Sequence, residues 1–335
     1  MTCSAEFDWF RLSRTRGVGP ASIWDIYEII ARENLSLNDF MIQLQNNPAK
    51  LSSKNIKKLL GLVNQDIRDY EDARNLYKKL KQGNVQIINP ESHLYPTRLK
   101  GYIQKYELRR DIPPILYAKG NLHLLSAPAS IAIVGSRNVG DEVTQVALEL
   151  SKGLAKAGFN IISGYAKGVD SAAHLGALKA GGTTTIVLSL GILQFQPKDE
   201  FKNLFSSSVQ NYLILSQFDP HEKWLARNAM ARNRLVCALS DAVLVIASGK
   251  KIEYKDGREV MSGTFNAAEV AREMNIPVFV LSPHLFSQPP AGNADLIHLG
   301  CREILPDNPV QQIVSQLQLK PTPCGEEVQL SLPLG

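Results

Sequence analysis

The chain has 335 residues, 44% of them apolar and 21% charged, with a formal net charge of +5. That composition excludes fibrous and disordered classes and leaves room for one large domain with a small one, or for two ordinary domains. No apolar run reaches the roughly 18 residues of a membrane span, and the mild positive charge permits a polyanionic partner without requiring one.

The N-terminus, MTCSAEFDWF, carries acids and no basic residue ahead of an apolar stretch, so no signal peptide is expected. Four scattered cysteines, Cys3, Cys237, Cys301 and Cys324, form no CxxC pair. They point away from zinc and disulfides and toward a reducing, cytoplasmic setting.

Residues 1 to about 78 read as helical, with LSLNDFMIQLQ, SSKNIKKLLGLV and QDIRDYEDARNLYKKLKQG as candidate helices. Ser36 and Ser53 suit N-caps and Gly83 a helix stop. A connector with short strands follows, marked by Pro90, Pro96, Pro113 and Pro114. From Ile131 the runs IAIV, FNII, TTTIVLSL, YLIL, AVLVIA and IPVFVL alternate with segments of helical period. In 142–157, for example, Val143, Val146, Leu150, Leu154 and Ala157 recur at spacings of three and four. The expected architecture is α/β: an extended Rossmann-like, doubly wound, mostly parallel sheet over 81–305, behind a small all-α domain over 1–80. A last helix over 307–318 and a tail complete residues 306–335.

Four segments carry candidate chemistry. In IAIVGSRNVGDE, Gly135 and Ser136 turn the chain after a buried strand and Arg137 stands in the turn, where a helix start offers N–H groups to an anion. The GxGxxG fingerprint is absent, and Arg137 supplies a forked, permanent cation instead. The same residues also suit an ordinary tight turn with a surface arginine. In IISGYAKGVDSAAHLGAL, Ser163–Gly164 and Gly168 turn the chain, Lys167 adds charge, and Asp170 and Ser171 suit helix caps. His174 there lacks a serine, cysteine or carboxylate partner and reads as a packed, hydrogen-bonded helix residue. In RNAMARNRLVCALSDA, Arg227 and Arg234 share a helix face, with Arg232 nearby, as a phosphate track or a solvated face. Asn233 between them suits a structural hydrogen-bonder. In MSGTFNAAEVARE, Ser262, Gly263 and Thr264 precede a helix that suits a phosphate. Gly17-Val18-Gly19-Pro20 fits a helix-hairpin-helix turn or a plain helix–helix turn.

The ordered series GSR, SGYAKGVDSAAHLGAL, GGTTTIVLSLG, RNRLVCALSDAVLVI, SGTFNAAEVA and AGNADLIHLG, with YPTRLK and PPILYAKG upstream, resembles the DNA-processing protein A (DprA/Smf) family over about 80–305. The N-terminal helices are similar to its sterile-alpha-motif (SAM)-like domain. The resemblance implies dimerisation, binding of single-stranded DNA without an enzymatic step or cofactor, and loading of a RecA-type recombinase in transformation or recombination. By position it makes Arg137 and Lys167 the principal phosphate contacts. Gly135, Ser136, Ser163, Gly164, Arg232, Asn233 and Arg234 complete the pocket, and Ser262, Gly263 and Thr264 face the same phosphates.

The sequence departs from that pattern in four places. Gln217 follows Ser216 where the family has an acid, and Ala247 stands where it has a glutamate. Residues 248–261 form an expanded charged loop, and the stretch after Leu305 is too short for a winged helix. A divergent role suits these departures, such as a regulator or antitoxin of a phage-defence or mobile-element cassette with a toxin partner. Two further readings use the same cradle, a nucleotide-binding sensor and a nucleotide phosphoribohydrolase of the cytokinin-activating type. The latter needs a glutamate where Ala267 stands, and Glu269 comes two positions late.

Overall fold

The apolar runs beginning at Ile131 become strands of one parallel sheet, preceded by a separate set of helices. The computed structural model describes residues 5–46, 67–207, 209–255 and 258–317, which fall into two compact units, Met1–Lys119 and Gly120–Gly335.

The first unit contains helices α1 (Ala5–Arg14), α2 (Pro20–Glu33), α3 (Leu37–Asn46) and α4 (Ile67–Gln82), strand β1 (Gln86–Ile88), helix α5 (Thr97–Tyr106) and strand β2 (Leu116–Gly120). Helix α2 buries Ile23, Trp24, Ile26 and Ile30, the stripe expected of a helix with one face in a core. It opens at Gly19 with Pro20 in its first turn, so GVGP is the turn between α1 and α2. Ser36 caps α3: its Oγ accepts from the Asp39 N–H at 3.1 Å, and the Asp39 carboxylate accepts from the Ser36 N–H at 3.3 Å. Helix α4 stops at Gln82, but the left-handed residue that ends it is Asn84 (φ 55°) rather than Gly83. The helix expected over 52–63, with its cap Ser53, lies outside the described residues.

Strands β1 and β2 pair antiparallel, with Ile87 opposite Tyr117. The unit extends well past residue 80 because the proline-rich connector is tied to its helices. The Trp24 indole donates to the Ile112 carbonyl at 2.9 Å, and Arg109 meets Asp25 at 2.6 Å and Glu28 at 2.8 Å.

The second unit holds strands β3 (Ser130–Val134), β4 (Asn160–Ser163), β5 (Thr184–Val187), β6 (Tyr212–Ser216), β7 (Ala242–Val245), β10 (Val278–Leu281) and β11 (Arg302–Ile304). Between β7 and β10, strands β8 (Ile252–Lys255) and β9 (Arg258–Met261) form an antiparallel hairpin with Ile252 opposite Met261. The helices are α6 (Asp141–Lys156), α7 (Val169–Lys179), α8 (Asp199–Ser207), α9 (Ala226–Ala238), α10 (Gly263–Glu273), α11 (Asn293–His298) and α12 (Pro309–Gln316). All six apolar runs contain strands. The seventh parallel strand, β11, was not among them.

The seven run in the order β6-β5-β4-β3-β7-β10-β11, with every neighbouring pair parallel. Ile131 stands opposite Ile161 on one side and Ala242 on the other. Strands β3 to β7 are buried along their length, as a sheet covered on both faces requires. Helix α6 turns Val146, Leu150 and Leu154 into the core, while Val143 stays only partly buried. The strand order reverses between β3 and β7, and ligands of open α/β sheets sit in the crevice beyond the strand ends at such a point. The Asn293 side chain closes the neighbouring edge: it donates to the carbonyls of Ile246 and Leu281 at 2.9 Å and accepts from the Ser248 N–H at 2.8 Å. Among the described residues no helix is long and apolar enough to cross a membrane.

Candidate nucleic-acid interface

Two cavities open beyond the carboxyl ends of β3 and β4, one of about 780 Å³ and one of about 400 Å³, and Arg137 and Arg232 line both. The larger reaches Gly135, Ser136, Arg227, Asn233 and the Ser262–Thr264 helix start. The smaller reaches Gly164, Lys167, Lys198 and Trp224.

The first wall is the GSR turn. A Cβ on Gly135 would lie 2.5–2.7 Å from the Val169 side chain, so only glycine lets α7 start this close to β3. The Ser136 N–H and hydroxyl both donate to the Ala247 carbonyl, at 2.8 and 3.1 Å. Ser136 therefore fixes the turn to the end of β7 and presents Arg137, which is exposed. The Arg137 guanidinium lies 5.6 Å from the centroid of the Trp224 ring and makes no ion pair among the described residues.

The second wall follows β4. Ser163 is fully buried and its Oγ donates to the Ile133 carbonyl at 2.6 Å, so it locks β4 to β3 and does not face either cavity. That corrects its expected place among the phosphate contacts. Asp170 is not the cap of α7: Gly168 (φ 82°) occupies that position, and the Asp170 carboxylate, in the first turn, accepts from the Ala166 N–H at 3.2 Å. Ser171 likewise reaches back, donating to the Ala166 carbonyl at 2.7 Å. Lys167 is exposed at the rim of the smaller cavity.

His174 is completely buried. The Thr184 hydroxyl donates to the Ile161 carbonyl, so it must accept from His174 Nδ1 at 2.7 Å, which leaves Nε2 bare. Burial, reinforced by the positive charges of Lys198 and Arg232, lowers its pKa to about 3. The ring is a neutral structural group, as its surroundings in sequence suggested.

Helix α9 separates its cations. Residues two apart point to opposite sides of a helix, and Arg232 and Arg234 do so. Arg232 is 5% exposed, lies 4.0 Å from the Asp170 carboxylate, and its Nε has no hydrogen-bond partner among the described residues. Burial works against its charge and Asp170 partly offsets that. Arg234 turns away to Glu273 at 3.8 Å and lines neither cavity. Of the three arginines expected to form a phosphate track, Arg227 and Arg232 line the larger cavity together with Arg137, and Arg234 does not. Asn233 is the structural hydrogen-bonder anticipated for it, donating to the Gly263 carbonyl and to Asn266 Oδ1 at 3.0 Å each. These bonds hold the start of α10, where the Ser262 Oγ accepts from the Phe265 N–H at 3.3 Å, against the larger cavity. A helix N-terminus placed there adds partial positive charge.

Two site residues escaped the sequence reading. Lys198 Nζ lies 4.6 Å from the Tyr165 ring centroid, donates to the Tyr165 and Ala166 carbonyls at 3.3 Å each, and contacts the Ser171 hydroxyl. Burial lowers its pKa from the ordinary lysine value. Trp224, half exposed, stands in the irregular stretch before α9. Neither sits in an element with a period, so no pattern announced it. Among carboxylates, Asp170 and Glu259 line the larger cavity, whereas Glu269 is paired with Lys251 at 2.6 Å and lines neither.

The sequence pattern described as DNA recombination-mediator protein A matches residues 86–318. The chain is 29% identical to protein Smf of Synechocystis sp. over 314 residues, which is 92% of this chain and 72% of that protein. It is 29% identical to DNA processing protein DprA of Bacillus subtilis, over 74% of this chain and 77% of the relative. The fold is that of DprA from Streptococcus pneumoniae, with TM-score 0.69 at 24% identity, covering 94% of this chain and 99% of that one. A Helicobacter pylori DNA processing protein A, solved for its single-stranded DNA binding mode, is similar with TM-score 0.54 at 26% identity over 70% and 95% of the two chains. With its sheet, its GSR turn and its family match in agreement, the chain belongs to the DNA recombination-mediator protein A (DprA/Smf) family.

Proposed function

We propose that this protein grips single-stranded DNA by its phosphates in the crevice centred on Arg137, and does so without a chemical step. The observation that carries the reading is Arg137 itself: exposed, held out by Ser136, and common to both cavities. Lys167, Lys198, Arg227 and Arg232 line the same two cavities, while of the two carboxylates in the larger one Asp170 is already engaged by the Ala166 N–H and by Arg232, and Glu259 accepts from the Tyr254 hydroxyl at 2.7 Å. Such a field favours a polyanion, and charge-assisted bonds to phosphate are the strong ones. The single-stranded DNA binding mode of the Helicobacter pylori relative supports the choice of polymer.

Three features support a binding role over hydrolysis. Ala267 lines the cavity where a phosphoribohydrolase has its glutamate, and Glu269 is tied to Lys251. His174 is neutral and sealed in the core. Cys237 is buried and its thiol is pushed up to about 12. The wider role, a cytoplasmic homodimer that presents the bound strand to a RecA-type recombinase, follows the family resemblance.

The test is affinity for oligo-dT, duplex DNA and a nucleoside monophosphate across a salt series. The proposal expects oligo-dT to bind most tightly and its affinity to fall steeply with salt, because each neutralised phosphate releases counterions. A flat salt response with tight mononucleotide binding would contradict it.

A further inference from the structure

We infer that Trp224 is a nucleobase platform, the residue by which this site distinguishes a single strand from a duplex. The inference rests on the single-strand reading above and adds a base contact to its phosphate contacts.

The sequence has three tryptophans. Trp9 and Trp24 are 0% and 2% exposed, which is the usual fate of so large an apolar ring, while Trp224 is 50% exposed. It stands out of the core, at the mouth of the smaller cavity with Lys167 and Lys198, and its ring is within 5.6 Å of the Arg137 guanidinium. Contact with that cation is a favourable use of the ring's electron-rich face, and it fixes the indole beside the group that would hold a phosphate. A nucleotide whose phosphate meets Arg137 brings its base into this neighbourhood. In a single strand the base is free to leave its neighbours and stack on an aromatic side chain, whichever base it is. In a duplex the bases are paired and stacked inside the helix, so Trp224 has nothing to receive. Phosphate contacts alone meet the same chemical group on both polymers and read nothing of the bases. The aromatic ring supplies the difference.

The experiment compares wild type, Trp224→Ala and Trp224→Phe for binding to oligo-dT, to a duplex of the same length, and to a base-free deoxyribose-phosphate strand. Trp224→Ala should lose about five- to 150-fold in oligo-dT affinity, the range spanned by one stacked base. It should change duplex and base-free binding by less than about twofold, and Trp224→Phe should retain most of the wild-type preference. Because the other two tryptophans are buried, quenching of the exposed indole emission by oligo-dT, but not by the base-free strand, reads the same contact in unmodified protein. Equal affinity of Trp224→Ala and wild type for oligo-dT overturns the platform. So does an equal loss on the base-free strand, which would mean that Trp224 only positions Arg137. A wild type that binds oligo-dT no better than the base-free strand also overturns the platform, whereas one that binds oligo-dT no better than the duplex refutes the single-strand reading itself, and the platform falls with it.

Discussion

The backbone of Gly164 lies directly against the guanidinium of Arg232, so that a methyl group at 164 would occupy the space of the Arg232 nitrogens. Gly164 is thus a seat for a buried cation. Gly164→Ala should destabilise the protein by about 1–3 kcal/mol through overpacking and weaken oligo-dT binding as Arg232 is displaced. The two positions share one space, so their effects should not add. In an Arg232→Ala background the same Gly164→Ala change should cost much less, measured by urea unfolding of the four proteins. Strict additivity would show that the two groups do not compete.

His174 predicts a pH dependence of stability with a definite sign. Its folded pKa, about 3, lies below the ordinary value of 6.5, so the unfolded chain binds a proton between those limits and the native protein does not. Stability is then fully present above pH 6.5 and is lost as pH falls through that window, by up to about 1.4 kcal/mol per unit. His174→Gln should lower stability near neutrality and flatten this slope. An unchanged slope in the variant would assign the acid sensitivity to other groups.

Glu269 is a surface ion-pair partner of Lys251, and such pairs contribute about 0–1 kcal/mol. Glu269→Gln should leave oligo-dT affinity and stability almost unchanged. Neither it nor the wild type should release free base from a nucleoside monophosphate. Base release that disappears on changing Glu269 would restore the hydrolase reading.

The parallel sheet was legible in the sequence because its strands are buried on both faces, and each of the six therefore appears as a short apolar run. Strand β11 was not, since Arg302 and Glu303 make two of its three residues charged and exposed. The turns were legible as glycine and serine after strands, but their internal roles were not. Ser163 and Ser136 look alike in sequence. Only the structure shows that one bonds into the sheet while the other holds the Arg137 turn open. The arginine run predicts a shared face for Arg227 and Arg234, seven residues apart, yet of the two only Arg227 lines a cavity, because the Arg234 side chain turns to Glu273 in the next helix, which no spacing within the run announces. Lys198 and Trp224 come to the crevice from irregular segments, and folding alone brings them there.

The role proposed for Arg137, principal phosphate contact of the crevice, is tested most sharply by setting Arg137→Ala beside Arg234→Ala in oligo-dT binding at fixed, moderate salt. Arg137→Ala should weaken binding by at least about 1.5 kcal/mol, the order of a charge-assisted contact, and reduce the salt slope by about one phosphate. Arg234→Ala removes the same charge from a site that faces Glu273 and should weaken binding by less than about twofold. An Arg137→Ala protein that binds oligo-dT as tightly as wild type, or an equal loss in both variants, would contradict the claim.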